Sequence, residues 1–195
     1  MATADLLLDD EVDDPALPKG YARVNGELWE LPVSEKSGWV GAEILYRIRS
    51  HLERHPLGRV YLAETGYRCF PTKPRQVRKP VVSFIRAERL SPELSDKDIT
   101  ISPDLVVEVI SPNETALDLD DKIADYQSVG VPLIWVVNPN GRTVRIIRPD
   151  GSPPLLTDTD TLSGGDVLPG FSCRVAGKEV LELDRRIREG EPLML

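Results

Sequence analysis

A carboxylate stands in the middle of an apolar run of the sequence. Glu108 lies between Val107 and Val109 in the segment PDLVVEVISP, which spans residues 103–112. An ionised carboxylate loses its hydration in such a place, so a cation, a hydrogen bond or a metal ion has to compensate it. Acids of this kind are typical of catalytic and metal-binding sites, although a structural ion pair gives the same pattern.

Two further charged residues belong to the same stretch of chain. Lys122 lies on a predicted helix after the Glu108 strand, and its ordinary partner there would be Asp118 at i−4. Asp104 begins the strand, so Asp104 and Glu108 share a face but lie roughly 13 Å apart at about 3.3 Å per residue. One metal ion cannot bind both carboxylates directly, and Asp104 suits a strand-end hydrogen bond equally well.

The sequence lacks the motifs of several other catalytic and ligand-binding sites. It contains no glycine-rich phosphate loop, no nucleophile elbow and no HExxH zinc motif. His51 and His55 have metal-like spacing on a predicted helix, but without a third ligand we interpret them as a solvated helix end. Cys69 and Cys173 are far apart, which indicates a reduced, cytoplasmic setting. Any chemistry therefore rests on carboxylates, a lysine and a divalent metal ion.

Composition predicts one globular domain with an acidic extension. The chain has 195 residues, of which 41% are hydrophobic and 29% charged. No apolar run approaches bilayer length, and the start lacks the basic region of a signal peptide. Six acids and no bases occur in the first sixteen residues. We therefore predict a flexible acidic tail over residues 1–20 and a single domain over residues 21–195.

The net charge of −8 hides a basic segment at residues 68–89. This segment holds seven lysines and arginines and the single acid Glu88, a local balance of +6. Such a cluster can neutralise DNA phosphates, and Arg75, Arg78 and Lys79 at its centre are the predicted contacts. The segment is equally consistent with a solvated loop whose charges serve solubility.

Hydrophobic periodicity and turn residues predict the elements that position these groups. Two helices are expected at 38–55 and 114–129, the second capped by Asn113 and stopped by Gly130. Strands are expected as a hairpin over 21–31 turned at Asn25-Gly26, a second hairpin over 58–70 turned at Thr65-Gly66, and single strands at 81–86, 104–110, 132–138 and 142–148. The order predicts an α/β (α+β) fold with helices flanking a central mixed β-sheet, in which strands 104–110 and 132–138 are parallel.

The order and wording of these segments resemble a known family. PDLVVEVISP followed by a helical DKIADY and by GVPLIWVVNP is similar to the bacterial Uma-type endonucleases. These belong to the restriction-endonuclease-like superfamily, which is named for its PD-(D/E)XK motif. The resemblance runs from about Tyr21 to Val175 and includes GELWEL, ETGYRCF, RKPVVSFIRAERL and LPGF. It implies a restriction-endonuclease-like core and hydrolysis of DNA with Mg²⁺ or Mn²⁺.

The resemblance also assigns roles to residues. In the superfamily an Asp on one strand and an acid on the next hold the metal, while a lysine orients or activates the attacking water. Glu108 matches the second acid, and Lys122 takes the lysine role because Ile110 stands at the usual lysine position. Val81 stands where the first Asp is expected, so weak metal binding is implied. The acids left as replacement ligands are Glu64, Asp104 and Glu43.

Two functions follow from this sequence. The first is a magnesium-dependent DNA endonuclease, impaired by Val81. The alternative is a non-catalytic DNA-binding or protein-interaction module that keeps the nuclease fold. A homodimer is expected in either case, because the hairpin predicted over residues 58–70 would leave an exposed sheet edge.

Overall fold

The structure, a computed structural model, describes residues 21–24, 27–30, 34–112, 114–151 and 155–175. Its first elements, β1 (Tyr21–Val24) and β2 (Glu27–Glu30), pair antiparallel, as predicted for this segment. The turn residues Asn25 and Gly26 and the acidic tail 1–20 lie outside the described residues. No helix within the described ranges has the length and apolarity to cross a membrane.

A six-stranded mixed sheet forms the centre of the fold, in the order β3-β4-β5-β6-β7-β8. Its strands are β3 (Gly58–Leu62), β4 (Val82–Arg86), β5 (Leu105–Val109), β6 (Leu133–Asn138), β7 (Thr143–Ile147) and β8 (Leu155–Leu156). Only β5 and β6 pair in parallel. The predicted mixed sheet and parallel pair are therefore confirmed. A separate antiparallel pair consists of β9 (Thr161–Ser163) and β10 (Ser172–Arg174).

The first helix, α1 (Glu35–Arg54), begins three residues earlier than predicted. The Ser34 hydroxyl caps it by accepting a hydrogen bond from the Ser37 amide at 3.2 Å. Its last turn ends before Pro56, because a residue that precedes proline disfavours the helical conformation and His55 is extended.

The second helix, α2 (Ala116–Ser128), is held at its start by a capping box of Thr115 and Asp118. Asn113, the predicted cap, lies outside the described residues, so the cap that the structure describes is two residues later. Gly130 follows the helix with a φ of 71°, which is the left-handed conformation expected of a helix-stopping glycine.

The hairpin predicted over residues 58–70 is wrong. All five residues of β3 pair with β4, twenty residues further along, and the chain turns away after Leu62. Tyr67 instead forms isolated bridges to Arg78 and Ile99, and its buried hydroxyl lies 2.7 Å from that of Ser83. The β-prone residues after the turn therefore do not extend β3, and Tyr67 among them is fully buried.

The sheet separates two apolar cores, one under each helix. On the α1 side, Ile48 packs with alternate strand residues such as Phe84, Val107 and Trp135. On the α2 side, Ile123 and Tyr126 pack with strand residues that include Val106 and Ile134. Because side chains alternate along a strand, Glu108 is directed to the α2 side, as Val106 is.

Candidate active site at the end of the central strand

Glu108 is buried between β5 and α2 and has two polar partners. Its side chain is among the largest that are fully buried, with 1% of the residue exposed. The Tyr126 hydroxyl donates a hydrogen bond to Oε1 at 2.6 Å, and the Lys122 ammonium lies 3.5 Å from Oε2. The predicted association of Glu108 with Lys122 is thus present in the structure, with a tyrosine as a third member.

Lys122 bridges two acids rather than one. Its Nζ lies 2.7 Å from Oε1 of Glu114, which is closer than its contact with Glu108. The Asp118 carboxylate, suggested as the ordinary helical partner, accepts hydrogen bonds from the Thr115 amide and hydroxyl at the start of α2. The lysine is therefore the cation shared by Glu108 and Glu114.

Burial and charge shift the pKa values of this cluster. Burial raises the pKa of Glu108, although Lys122 and the Tyr126 hydrogen bond oppose the rise. Burial acts to lower the pKa of Lys122, but the carboxylates of Glu108 and Glu114 outweigh it and raise that pKa. The pKa of Tyr126 lies well above its usual value because of burial and the Glu108 charge. At neutral pH the lysine is charged and the tyrosine is a hydrogen-bond donor.

Val81 lies one residue before β4, at the same end of the sheet as Glu108. Val82 pairs with Val107, so the backbone of Val81 lies beside the end of β5 that carries Glu108. Its side chain packs with the core on the α1 side, whereas the Glu108 carboxylate is on the α2 side of the sheet. The Val81 side chain packs against α1, where a Cβ built on Gly41 would lie only 2.7 Å from its Cγ1. It therefore contributes apolar packing at this end of the sheet and no metal-binding oxygen.

Asp104 forms a brace at the other end of β5. It is 4% exposed and accepts a hydrogen bond from the Arg86 amide at 2.9 Å. The Arg89 guanidinium lies 2.9 Å from its other oxygen. These contacts agree with Asp104 as a strand-end hydrogen bonder, and none of them involves Glu108.

The other candidate ligands have surroundings of their own. Glu64 is exposed in the turn after β3. Glu43 is paired with Arg47 along α1 at 2.6 Å. His51, which we interpreted as solvated, is instead 7% exposed, with its Nε2 3.1 Å from the Pro169 carbonyl. That interpretation was wrong for His51, because the segment before β10, with Pro169 and Phe171, covers this end of α1.

Five of the seven basic residues in the basic segment pair with three aspartates that are distant in sequence. Arg68 pairs with Asp98, Lys73 and Arg78 pair with Asp125, and Arg86 and Arg89 pair with Asp104. Arg75 and Lys79 are exposed, and neither forms an ion pair with a described residue. Of the three predicted DNA contacts, Arg78 is thus committed to an internal ion pair, with 21% of its side chain exposed.

These residues fit a divalent metal ion poorly. Within the described part of the chain, no group of three or more His, Cys, Asp or Glu side chains is arranged to hold a metal. Magnesium needs several oxygen ligands in octahedral geometry. Here Glu108 and Glu114 share the lysine cation. The position before β4, where a second metal-binding acid is expected, holds Val81.

Comparison with known proteins identifies the family. The Uma2 family, described as "Putative restriction endonuclease", matches residues 14–176. The chain belongs to the Uma2 family. Its fold is similar to that of a protein from Anabaena variabilis described as a "putative nuclease belonging to DUF820", with a TM-score of 0.65 and 17% identity over 86% of this chain and 93% of that chain. No curated protein matches the sequence.

Three polar residues on and just before α2 were not predicted from the sequence. Tyr126 and Glu114, which contact Glu108 and Lys122, were not singled out. Asp125 was also missed, although it is 2% exposed. Asp125 could have been found, because it lies between Ile123 and Tyr126 on the apolar side of an amphipathic helix. An acid buried there requires cations from another segment.

Proposed function

We propose that this Uma2 protein binds DNA with a nuclease fold and keeps the acid and lysine half of a phosphodiesterase site, Glu108 and Lys122, while cleaving slowly or not at all. Membership of a family described as restriction endonucleases supports DNA as the substrate class. The observation that carries the impairment is Val81, an apolar residue directly before β4, at the position of the expected aspartate, whose side chain packs against α1.

The charge distribution around Glu108 supports the same proposal. A divalent ion gains most from carboxylates that have no other cation. Glu108 and Glu114 instead share the ammonium of Lys122, at 3.5 and 2.7 Å. Magnesium or manganese would therefore have to compete with a cation that is covalently part of the chain.

The exposed cations of the loop before β4 support a DNA backbone contact. Arg75 and Lys79 are exposed, and Lys73 keeps 56% of its side chain exposed while paired. Each neutralised phosphate contributes about 0.9 to the slope of log affinity against log salt concentration. Replacing Arg75 and Lys79 with alanine should thus flatten that slope by about 2, measured on a short duplex. An unchanged slope would show that DNA does not use this loop.

A single substitution tests the impairment. Val81→Asp introduces the expected carboxylate directly before β4, beside the end of β5 that carries Glu108. We therefore expect a manganese-dependent rise in melting temperature and new or faster cleavage of supercoiled plasmid. Val81→Asn is the matched control, because it has the same shape without the charge. Adding Glu108→Gln to Val81→Asp should cancel both gains.

The result also separates the proposal from a second candidate, a DNA-binding module with no residual nuclease site. That candidate is favoured by the lack of a metal-binding cluster among the described residues. It is supported if Val81→Asp neither binds manganese nor cleaves plasmid while DNA binding persists. Efficient cleavage by the unmodified protein in magnesium would refute the proposed impairment, and Glu64 would then be the first ligand to replace.

A further inference from the structure

Asp125 joins α2 to the chain segment that carries the exposed cations. We call residues 70–80 the basic loop. Asp125 is 2% exposed, and its Oδ1 lies 2.6 Å from the Lys73 ammonium. The Arg78 guanidinium lies 2.6 Å from Oδ2 through Nη2 and donates to the same oxygen through Nε at 2.7 Å. One buried carboxylate therefore holds the loop at two places.

The loop has other fixed points on either side of these ion pairs. Phe70 is buried in the apolar core under α2. Tyr67 and Arg78 exchange both backbone hydrogen bonds, at 2.8 and 3.0 Å. The intervening residues leave Arg75 exposed, and Lys79 is exposed directly after Arg78. These two exposed cations are thus presented by a loop whose base is held in place.

The same helix serves both the loop and the Glu108 site. Lys122 and Tyr126, which contact Glu108, lie within one turn of Asp125 on α2. A helix of thirteen residues is stiff over that length. The position of the basic loop relative to Glu108 is therefore determined by α2, and Asp125 is the polar contact that joins them.

We propose that Asp125 is a positioning residue for DNA, which holds the basic loop on α2 so that phosphates bound by Arg75 and Lys79 keep a constant register with Glu108 and Lys122. The inference rests on the proposed DNA partner. It differs from simple charge masking, in which removal of Asp125 would release Lys73 and Arg78 and strengthen DNA binding.

A double-mutant cycle separates these possibilities. One arm is Asp125→Asn and the other is the pair Arg75→Ala with Lys79→Ala, with duplex affinity measured at several salt concentrations. The residues do not touch, so coupling between the arms reports positioning. We expect Asp125→Asn to weaken duplex binding several-fold. In the Asp125→Asn background, the alanine pair should change the logarithm of the affinity by less than half as much as it does in the unmodified protein. Asp121→Asn removes the same charge from an exposed site on α2 and should leave both quantities unchanged.

Amide hydrogen exchange without DNA provides an independent measurement. Asp125→Asn should speed exchange in residues 73–78, whereas Asp121→Asn should not. If Asp125→Asn does not fold, Lys73→Met removes one anchor at a half-exposed side chain and is measured in the same way.

Three outcomes overturn the inference. Equal effects of the alanine pair in both backgrounds, stronger binding by Asp125→Asn, or unchanged loop exchange would each reject the positioning role alone. If the unmodified protein does not bind duplex, the proposed DNA partner fails, and the positioning role fails with it.

Discussion

At the scale of single residues, Glu108 and Lys122 depend on each other. Burial raises the pKa of Glu108, whereas the lysine at 3.5 Å and the tyrosine hydrogen bond at 2.6 Å favour its charged form. Removing one member of a buried pair costs more than the pair itself contributes, because the remaining charge is left without a partner.

Lys122→Met should therefore destabilise the protein by about 3 kcal/mol at neutral pH, measured by urea unfolding. Lys122 opposes the burial that raises the pKa of Glu108, so this pKa is higher still in the variant, and the variant takes up the proton at a higher pH than the unmodified protein. The deficit should therefore shrink as the pH falls from neutral. Adding Glu108→Gln should recover part of the loss. A deficit that is independent of pH and of Glu108→Gln would contradict this account.

Asp125 predicts an effect on acid stability. Burial alone would raise its pKa, but hydrogen bonds from Lys73 and Arg78 outweigh burial and lower it. Its contribution to folding is therefore present above the unfolded value of about 3.9 and is lost as the pH falls through the lower folded value. Asp125→Asn should be less stable than the unmodified protein at pH 7, with a smaller loss of stability below pH 4. Parallel acid limbs for the two proteins would reject this.

At the scale of elements, α1 contains two glycines with opposite requirements. Gly41 is buried where a Cβ would lie 2.7 Å from Val81, whereas Gly38 has nothing within 4 Å of its Cβ position. The helix can approach the start of β4 closely only because residue 41 lacks a side chain.

Alanine at these two positions should change stability in opposite directions. Gly38→Ala should stabilise by about 0.5–1 kcal/mol through helix propensity, while Gly41→Ala should cost about 1–3 kcal/mol through crowding of Val81. Thermal unfolding measures both changes. Adding Val81→Ala should relieve the cost at Gly41, and purely additive effects would show that the two residues do not compete for space.

At the scale of the whole molecule, β3 is an edge of the six-stranded sheet. Leu62 on this strand is 49% exposed, and Trp39 and Tyr46 are exposed on the neighbouring α1. Edges of this kind are commonly paired or protected. We predict a homodimer at micromolar concentration, measured by light scattering, and a shift toward monomer on Leu62→Lys. A monomer mass for the unmodified protein would reject the dimer.

The sequence predicted what depends on local pattern. Continuous apolar runs identified β5 and β6 as the buried centre, and the position of Glu108 within one of them indicated the site. It did not predict that β3 pairs with β4, because β-propensity does not specify a partner strand. It also overestimated the basic surface, since Asp98, Asp104 and Asp125 are distant in sequence and only the fold brings them to the arginines and lysines.

The pairing of Lys122 with Glu108 has a consequence for how such a protein changes over generations. A lineage that loses DNA cleavage no longer needs a catalytic lysine, yet it still needs a folded protein. Because loss of Lys122 would leave a buried carboxylate without its cation, selection for folding opposes the loss of this residue alone. Val81 carries no such obligation, so the aspartate of the motif can be replaced by a hydrophobic residue while the acid and the lysine remain. Persistence of that pair is therefore not by itself evidence of cleavage.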